Sequence, residues 1–167
     1  MLQTELIAPV PELLRRHANE RGAKIAYRDA RSQVTYAELF DRTANIAGHL
    51  ADNGVEPGDT VAIMLPNSVQ WVEACLGITR AGALGVPISY DSSEPEIAYR
   101  LSDATCKAVF TTAERADLFV KLQEDAPHLK TLIVTDSGST SAKALRYTDL
   151  IGKTARSAPR DPPLMHE

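Results

Sequence analysis

Between residues 60 and 135 the chain alternates short apolar runs with helix-length stretches, and this alternation leaves few architectures open. The apolar runs cover residues 60–65, 84–88, 107–111 and 131–135. A strand covered on both faces reads as one continuous apolar run. A helical crossover of ten residues or more returns the chain parallel to the strand before it. We therefore expect the α/β class, with a mostly parallel sheet flanked by helices on both faces.

The turns and caps agree with this order. Asn67 or Ser68 can cap a helix carrying Val69, Trp71, Val72, Cys75, Leu76 and Ile78, with Gly82 as its left-handed stop. That helix is apolar nearly all round, so Trp71 is expected to be at least partly shielded from water. Ser93 and Glu96 form a capping box with Pro95 in the first turn, ahead of an inner face of Ile97, Leu101 and Ala104. A further helix is expected near residues 114–124.

Upstream, Pro9, Val10 and Pro11 pre-set a helix through Glu12, Leu13, Leu14 and His17 that Gly22 can end. Residues 24–28 and 33–35 read as a hairpin turning at Asp29, Ala30 and Arg31. Thr35 and Glu38 then form a capping box, and Leu39, Ile46, Ala47 and Leu50 make one helical stripe that ends at Gly54. Burying the three larger side chains is worth about 1.5–3 kcal/mol each, so the stripe needs a partner surface. Beyond Asp136 come a small-residue stretch, one helical turn at 147–151 and a Pro-rich tail. The last dozen residues are expected to be extended or mobile.

Composition narrows the function classes. The content is 44% hydrophobic and 24% charged, which is globular, and a net charge of −4 without a Lys/Arg run offers no field for nucleic acid. No apolar run approaches the ~18 residues of a membrane span, and no leader pattern is seen, so a cytoplasmic protein is expected. Cys75 and Cys106 stand apart without a CxxC pair, and His17, His49, His128 and His166 are scattered. No metal site is expected, and the cysteines read as core.

Several pieces in succession carry a resemblance. They are Thr35-Tyr36-Ala37-Glu38-Leu39, the run from Gly54 through Pro57-Gly58-Asp59 to Ile63, and Leu65-Pro66-Asn67-Ser68. Leu76-Gly77-Ile78, Ala81-Gly82-Ala83, Val86-Pro87, Glu96-Ile97 and Leu101-Ser102-Asp103 follow. In this order and spacing, over about 115 residues, the chain resembles the N-terminal part of an adenylate-forming enzyme, the superfamily of acyl-CoA synthetases, firefly luciferase and adenylation domains.

The resemblance implies ATP, Mg²⁺ and CoA as cofactors, with a fatty or aromatic carboxylic acid activated as an acyl adenylate and passed to CoA. The family's phosphate loop ending in Pro-Lys-Gly, its aromatic-Thr-Glu motif, its ribose aspartate and its C-terminal lysine are not found in residues 1–167. No catalytic residue is therefore assigned, and the 167 residues alone are expected to be inactive. Residues 137–143 have a phosphate loop's composition but lack its second glycine, its proline and its closing glycine, and read as a linker. Arg115 is the one cofactor-binding candidate, because a basic residue after the equivalent strand approaches the CoA nucleotide in CoA-using relatives.

The resemblance divides the chain into a helix-hairpin-helix segment (1–54), an α/β subdomain (55–153) and an extended tail (154–167). It also implies that the first segment packs on a second subdomain built from later sequence. The stripe of Leu39, Ile46 and Leu50 would then lack its partner here, and self-association would cover it. Two alternatives stand beside the acyl-CoA synthetase. One is a loading or adenylation domain of a polyketide or peptide assembly line. The other is a non-catalytic flavodoxin-like or receiver-like domain, disfavoured because neither Leu65-Pro66-Asn67-Ser68 nor Thr111-Thr112-Ala113-Glu114 has the loop such a domain needs.

Overall fold

A computed structural model describes residues 8–136, 138 and 143–161. The chain opens with α1 (Val10–Arg21), followed by an antiparallel hairpin of β1 (Ile25–Arg28) and β2 (Gln33–Thr35). The Thr35/Glu38 box starts α2 (Tyr36–Asp52): Thr35 Oγ1 accepts the Glu38 N–H at 3.3 Å, and the Glu38 carboxylate accepts the Thr35 N–H at 2.9 Å. Next come β3 (Thr60–Ile63), α3 (Val69–Arg80), β4 (Leu84–Pro87), α4 (Glu94–Asp103) and β5 (Ala108–Thr111). The order closes with α5 (Ala113–Asp125), β6 (Thr131–Val134), β7 (Leu145–Arg146) and α6 (Tyr147–Gly152).

β3 to β7 form one parallel five-stranded sheet in the order β4-β3-β5-β6-β7. Each strand sends alternate side chains to opposite faces. Val61, Ile63, Ala108, Phe110 and Ile133 meet α2, α3 and α6, whereas Ala62, Met64, Val109, Leu132 and Val134 meet α4 and α5. This is the expected α/β architecture. β7 escaped the sequence reading because two residues carry no periodicity; it is set by its pairing with Ile133 and Val134.

The stripe on α2 corrects one expectation. Leu39, Ile46 and Leu50 are 0–1% exposed within this chain. Ile46 and Leu50 sit in the same core as Val61, Ile63 and Phe110, while Leu39 packs with Leu14, Val34 and Val69. The partner is α3 and the sheet beneath it, not a later subdomain, so the stripe supplies no reason for self-association. The approach is close because Gly77 of α3 has no side chain: a Cβ there would lie 2.4 Å from Ile46 Cγ2. Gly82 ends the turn after α3 at φ +75°, a conformation that penalises any residue with a Cβ.

Nor is α3 apolar all round, because Glu73 and Arg80 are both buried on it. Glu73 is 1% exposed and accepts one hydrogen bond from Arg42 Nη1 at 3.1 Å. Burial pushes its carboxyl up to about 7, against the pull of Arg42, with Glu38 and Asp29 adding to the rise. Trp71 is half-buried against the core, as expected.

Two measurements follow. Gly77→Ala should destabilise the protein by about 1–3 kcal/mol in urea unfolding, because Ile46 sits where the methyl must go. Glu73 binds its proton more tightly folded than unfolded, so its contribution to stability is full below the ordinary value of 4.5 and is lost as pH rises through about 7. Thermal melts should then show Glu73→Gln more stable than the parent protein at pH 8, with the gain gone near pH 4.5.

Candidate functional site

From β3 the chain moves to one side to form β4, then crosses back to form β5 on the other side. The carboxyl ends of β3 and β5 therefore flank a switch point, where open α/β sheets leave a crevice. A cavity of about 270 Å³ lies there. Its floor is Leu65-Pro66-Asn67-Ser68 after β3, Thr112 after β5, and Thr135 and Asp136 after β6. The hairpin turn Asp29-Ala30-Arg31 closes over it. The turn reaches this place because α2 carries the hairpin onto the start of α3.

Two aspartates organise the rim. Asp29 Oδ1 accepts the N–H groups of Arg31 and Ser32, each at 2.7 Å, and Oδ2 accepts the Val69 N–H at 2.8 Å, so one carboxylate both builds the turn and caps α3. The Val69 bond is the largest cause, with the two turn bonds next, that holds the Asp29 carboxyl down at about 2. Ser68 Oγ accepts the Trp71 N–H at 3.2 Å on the same helix end. Across the crevice, Asp136 Oδ1 accepts the Ala113 N–H at 2.7 Å and so caps α5. Of the other polar lining side chains, Arg31 is a cation, and Asn67, Gln70, Ser68, Thr112 and Thr135 are neutral hydrogen-bonding groups.

The helix ends beside this cavity are not free to take a triphosphate. The two helix N-termini that would draw phosphate oxygens already hold the chain's own carboxylates, and Pro66 contributes no N–H. Among the described residues no three His, Cys, Asp or Glu side chains gather as a metal site would require. No described helix is long and apolar enough to cross a membrane. The loop-like residues 137–143 lie outside the described residues apart from Gly138 and Lys143.

A second hollow of about 360 Å³ shares Leu65, Pro66 and Asn67 as a wall and extends to Trp71 and to residues 87–91 at the end of β4 and beyond it. Arg115, the sequence candidate, stands on the first turn of α5 beside it. Its guanidinium lies over the Tyr90 ring, 5.2 Å from the ring centre, and Nη2 donates to Tyr90 O at 3.4 Å. Arg115 Nε is buried with no hydrogen-bond partner among the described residues. The Tyr90 hydroxyl lies 3.0 Å from Thr112 Oγ1 and donates to Glu114 at 3.3 Å. Arg115 thus lines neither hollow itself, but packs on Tyr90, which lines the second. Tyr90, Asp29 and Asp136 were missed in the sequence because nothing local marks a residue whose partner lies 20 to 40 positions away.

The profile of the AMP-binding enzyme family matches residues 14–164. The chain belongs to that family. It is 40% identical over 102 residues to the chalcone synthase cfoA of Aspergillus candidus, a match taking in 61% of this chain and 4% of that protein. It is 35% identical over 107 residues to a medium/long-chain-fatty-acid–CoA/3-oxocholest-4-en-26-oate–CoA ligase of Mycobacterium tuberculosis, covering 64% of this chain and 20% of the ligase. The crystal structure of a benzoate CoA ligase from Burkholderia xenovorans superposes with a TM-score of 0.76 at 25% identity, over 89% of this chain and 29% of that one. The chain therefore spans less than a third of each of these proteins. Its parallel sheet and flanking helices are the architecture of the N-terminal domain of adenylate-forming enzymes.

Asp29 can be tested apart from any activity. Its carboxyl is held below the ordinary 3.8, so its contribution to stability is present above 3.8 and is lost as pH falls towards about 2. Asp29→Asn should melt at a lower temperature than the parent at pH 7 and show faster amide exchange at Val69. The melting difference should shrink as pH falls from 4 towards 2.

Proposed function

We propose that this chain is the N-terminal part of an ATP-dependent acyl-CoA ligase that activates a fatty or aromatic carboxylic acid. In that reaction the carboxylate attacks the α-phosphate of ATP and pyrophosphate leaves. The CoA thiol then attacks the acyl carbonyl and AMP leaves. The observation that carries the reading is the family match over residues 14–164, on a fold whose switch-point crevice is intact. The names of the fatty-acid and benzoate ligases among its relatives support the two acid classes.

In this reading the 167 residues supply scaffold rather than the adenylation centre. The helix ends at the crevice are capped by the chain's own carboxylates, and the Pro-Lys-Gly loop and its companion motifs are not found in residues 1–167. ATP and Mg²⁺ would be held elsewhere in a cytoplasmic parent enzyme. Arg115, laid against Tyr90, is the group offered to the CoA nucleotide, as a cation packed on a ring beside the second hollow. The chalcone synthase match, only 4% of that protein, favours a second reading in which the same scaffold serves a loading domain of a much larger enzyme.

The test is ATP–pyrophosphate exchange and thioester formation with fatty and aromatic acids, run on the complete reading frame and on the 167 residues alone. Exchange and CoA thioesters are expected from the former and neither from the latter; turnover by the 167 residues would overturn the scaffold reading. Arg115→Ala should raise KM for CoA tenfold or more while leaving exchange unchanged. Exchange with transfer only to a carrier protein would favour the second reading.

A further inference from the structure

The described segment after α6 has neither helix nor strand, yet hydrogen bonds attach it at several points. It runs extended across α2 to the end of α3, with the odd-numbered residues Ala155, Ser157 and Pro159 turned partly inward while Arg156, Ala158 and Arg160 face solvent. One-sided alternation of this kind belongs to a strand, but here the surface beneath is a pair of helices. Gly48 on α2 admits it: a Cβ at that position would lie 2.2 Å from Ser157 O and 2.5 Å from Ala155 Cβ.

Polar bonds fix the segment along its length. His49 Nε2 lies 2.9 Å from Lys153 O, and Asn45 Nδ2 donates to Ile151 O at 3.3 Å. The Asp52 carboxylate accepts three bonds, from Arg156 N at 2.8 Å, Ser157 N at 3.1 Å and Ser157 Oγ at 2.7 Å. At the far end Arg160 N donates to Arg80 O at 2.7 Å, and the Arg80 fork reaches both oxygens of Asp161 at 2.9 and 3.2 Å.

Arg80 makes the far anchor different in kind. Its side chain is 3% exposed, and Nη1 donates to Phe40 O at 2.6 Å and to Thr43 Oγ1 at 3.0 Å, with the guanidinium 4.3 Å over the Phe40 ring. These partners are neutral, and Asp161 supplies the carboxylate. A buried cation is stable only with its counter-charge in place, whereas Asp161 itself is 39% exposed. The charge on Asp161 therefore decides whether the α2–α3 layer keeps its cover.

We propose that residues 153–161 form a releasable strap, clamped at Asp52 and at Arg80, that leaves the α2–α3 surface as one unit when the Arg80–Asp161 pair is broken. Release uncovers Gly48 and leaves Arg80 open to another carboxylate.

The test is residue-resolved amide exchange on the full chain at neutral pH, comparing the parent protein with Asp161→Asn. The substitution is at a surface carboxylate and leaves Arg80 with its Phe40 and Thr43 partners, and exchange in the central strand reports whether the fold is retained. Exchange of Arg156, Ser157 and Arg160 is expected to speed up together, tenfold or more, although the first two bond to Asp52 rather than Arg80. Val109 and Phe110 in the central strand should not change. Asp52→Ala should act reciprocally and speed up Arg160. A change confined to Arg160, or no change, would overturn the single-unit strap. Equal acceleration at Val109 and Phe110 would also overturn it, since Asp161 would then support the whole fold.

Discussion

The contact between α2 and α3 is the constraint on which the rest of the structure depends. A parallel sheet must be covered on both faces, and one face here presents Val61, Ile63, Ala108, Phe110 and Ile133. α3 reaches part of that surface, and α2 completes it by pressing Ile46 into the space that Gly77 leaves open. Losing that cover would wet side chains worth about 1.5–3 kcal/mol each, against a total domain stability of about 5–15 kcal/mol. The same contact carries the hairpin turn to the carboxyl edge of the sheet, where it forms one side of the cavity at the switch point.

Charge is buried in this layer, and each charge is matched from a distant part of the chain. Glu73 finds Arg42 across the helix pair, and Arg80 finds Asp161 from the strap. Such pairs contribute little net stability beside an apolar substitute, because desolvation offsets most of the attraction. Their effect is to make packing conditional: on pH at Glu73, and on the strap at Arg80. Packing elsewhere in the sheet carries no such condition, since α4 and α5 close the opposite face with apolar side chains throughout their buried stripe.

At the carboxyl edge the chain uses its own aspartates to satisfy α3 and α5. This leaves a crevice of neutral hydrogen-bonding groups beside Arg31 but occupies the two places where a helix would draw phosphate. The arrangement accords with a family in which a glycine-rich loop, rather than these helix ends, takes the nucleotide phosphates. It also separates two tasks within the proposed ligase. In that proposal this part of the chain would hold a rigid edge and present Arg115 on Tyr90, with the adenylation chemistry left to other residues.

Local chemistry was enough for much of the fold. The capping box at Thr35/Glu38, the left-handed Gly82 and the unbroken apolar strands are decided within a few residues, so the sequence alone determined the element order and the parallel sheet. The family was legible for the same reason, as a succession of short motifs. What the sequence could not determine is what a surface meets. The Leu39, Ile46 and Leu50 stripe required some partner, but its identity depended on Gly77, about thirty residues away, lacking a Cβ. The tail after α6 read as extended or mobile because no periodicity lies within it; its attachments are to Asp52 and Arg80, 81 to 105 residues earlier. Tertiary structure alone chose these partners, because hydrogen bonds and ion pairs act over a few ångströms in space and leave no mark at that separation along the chain.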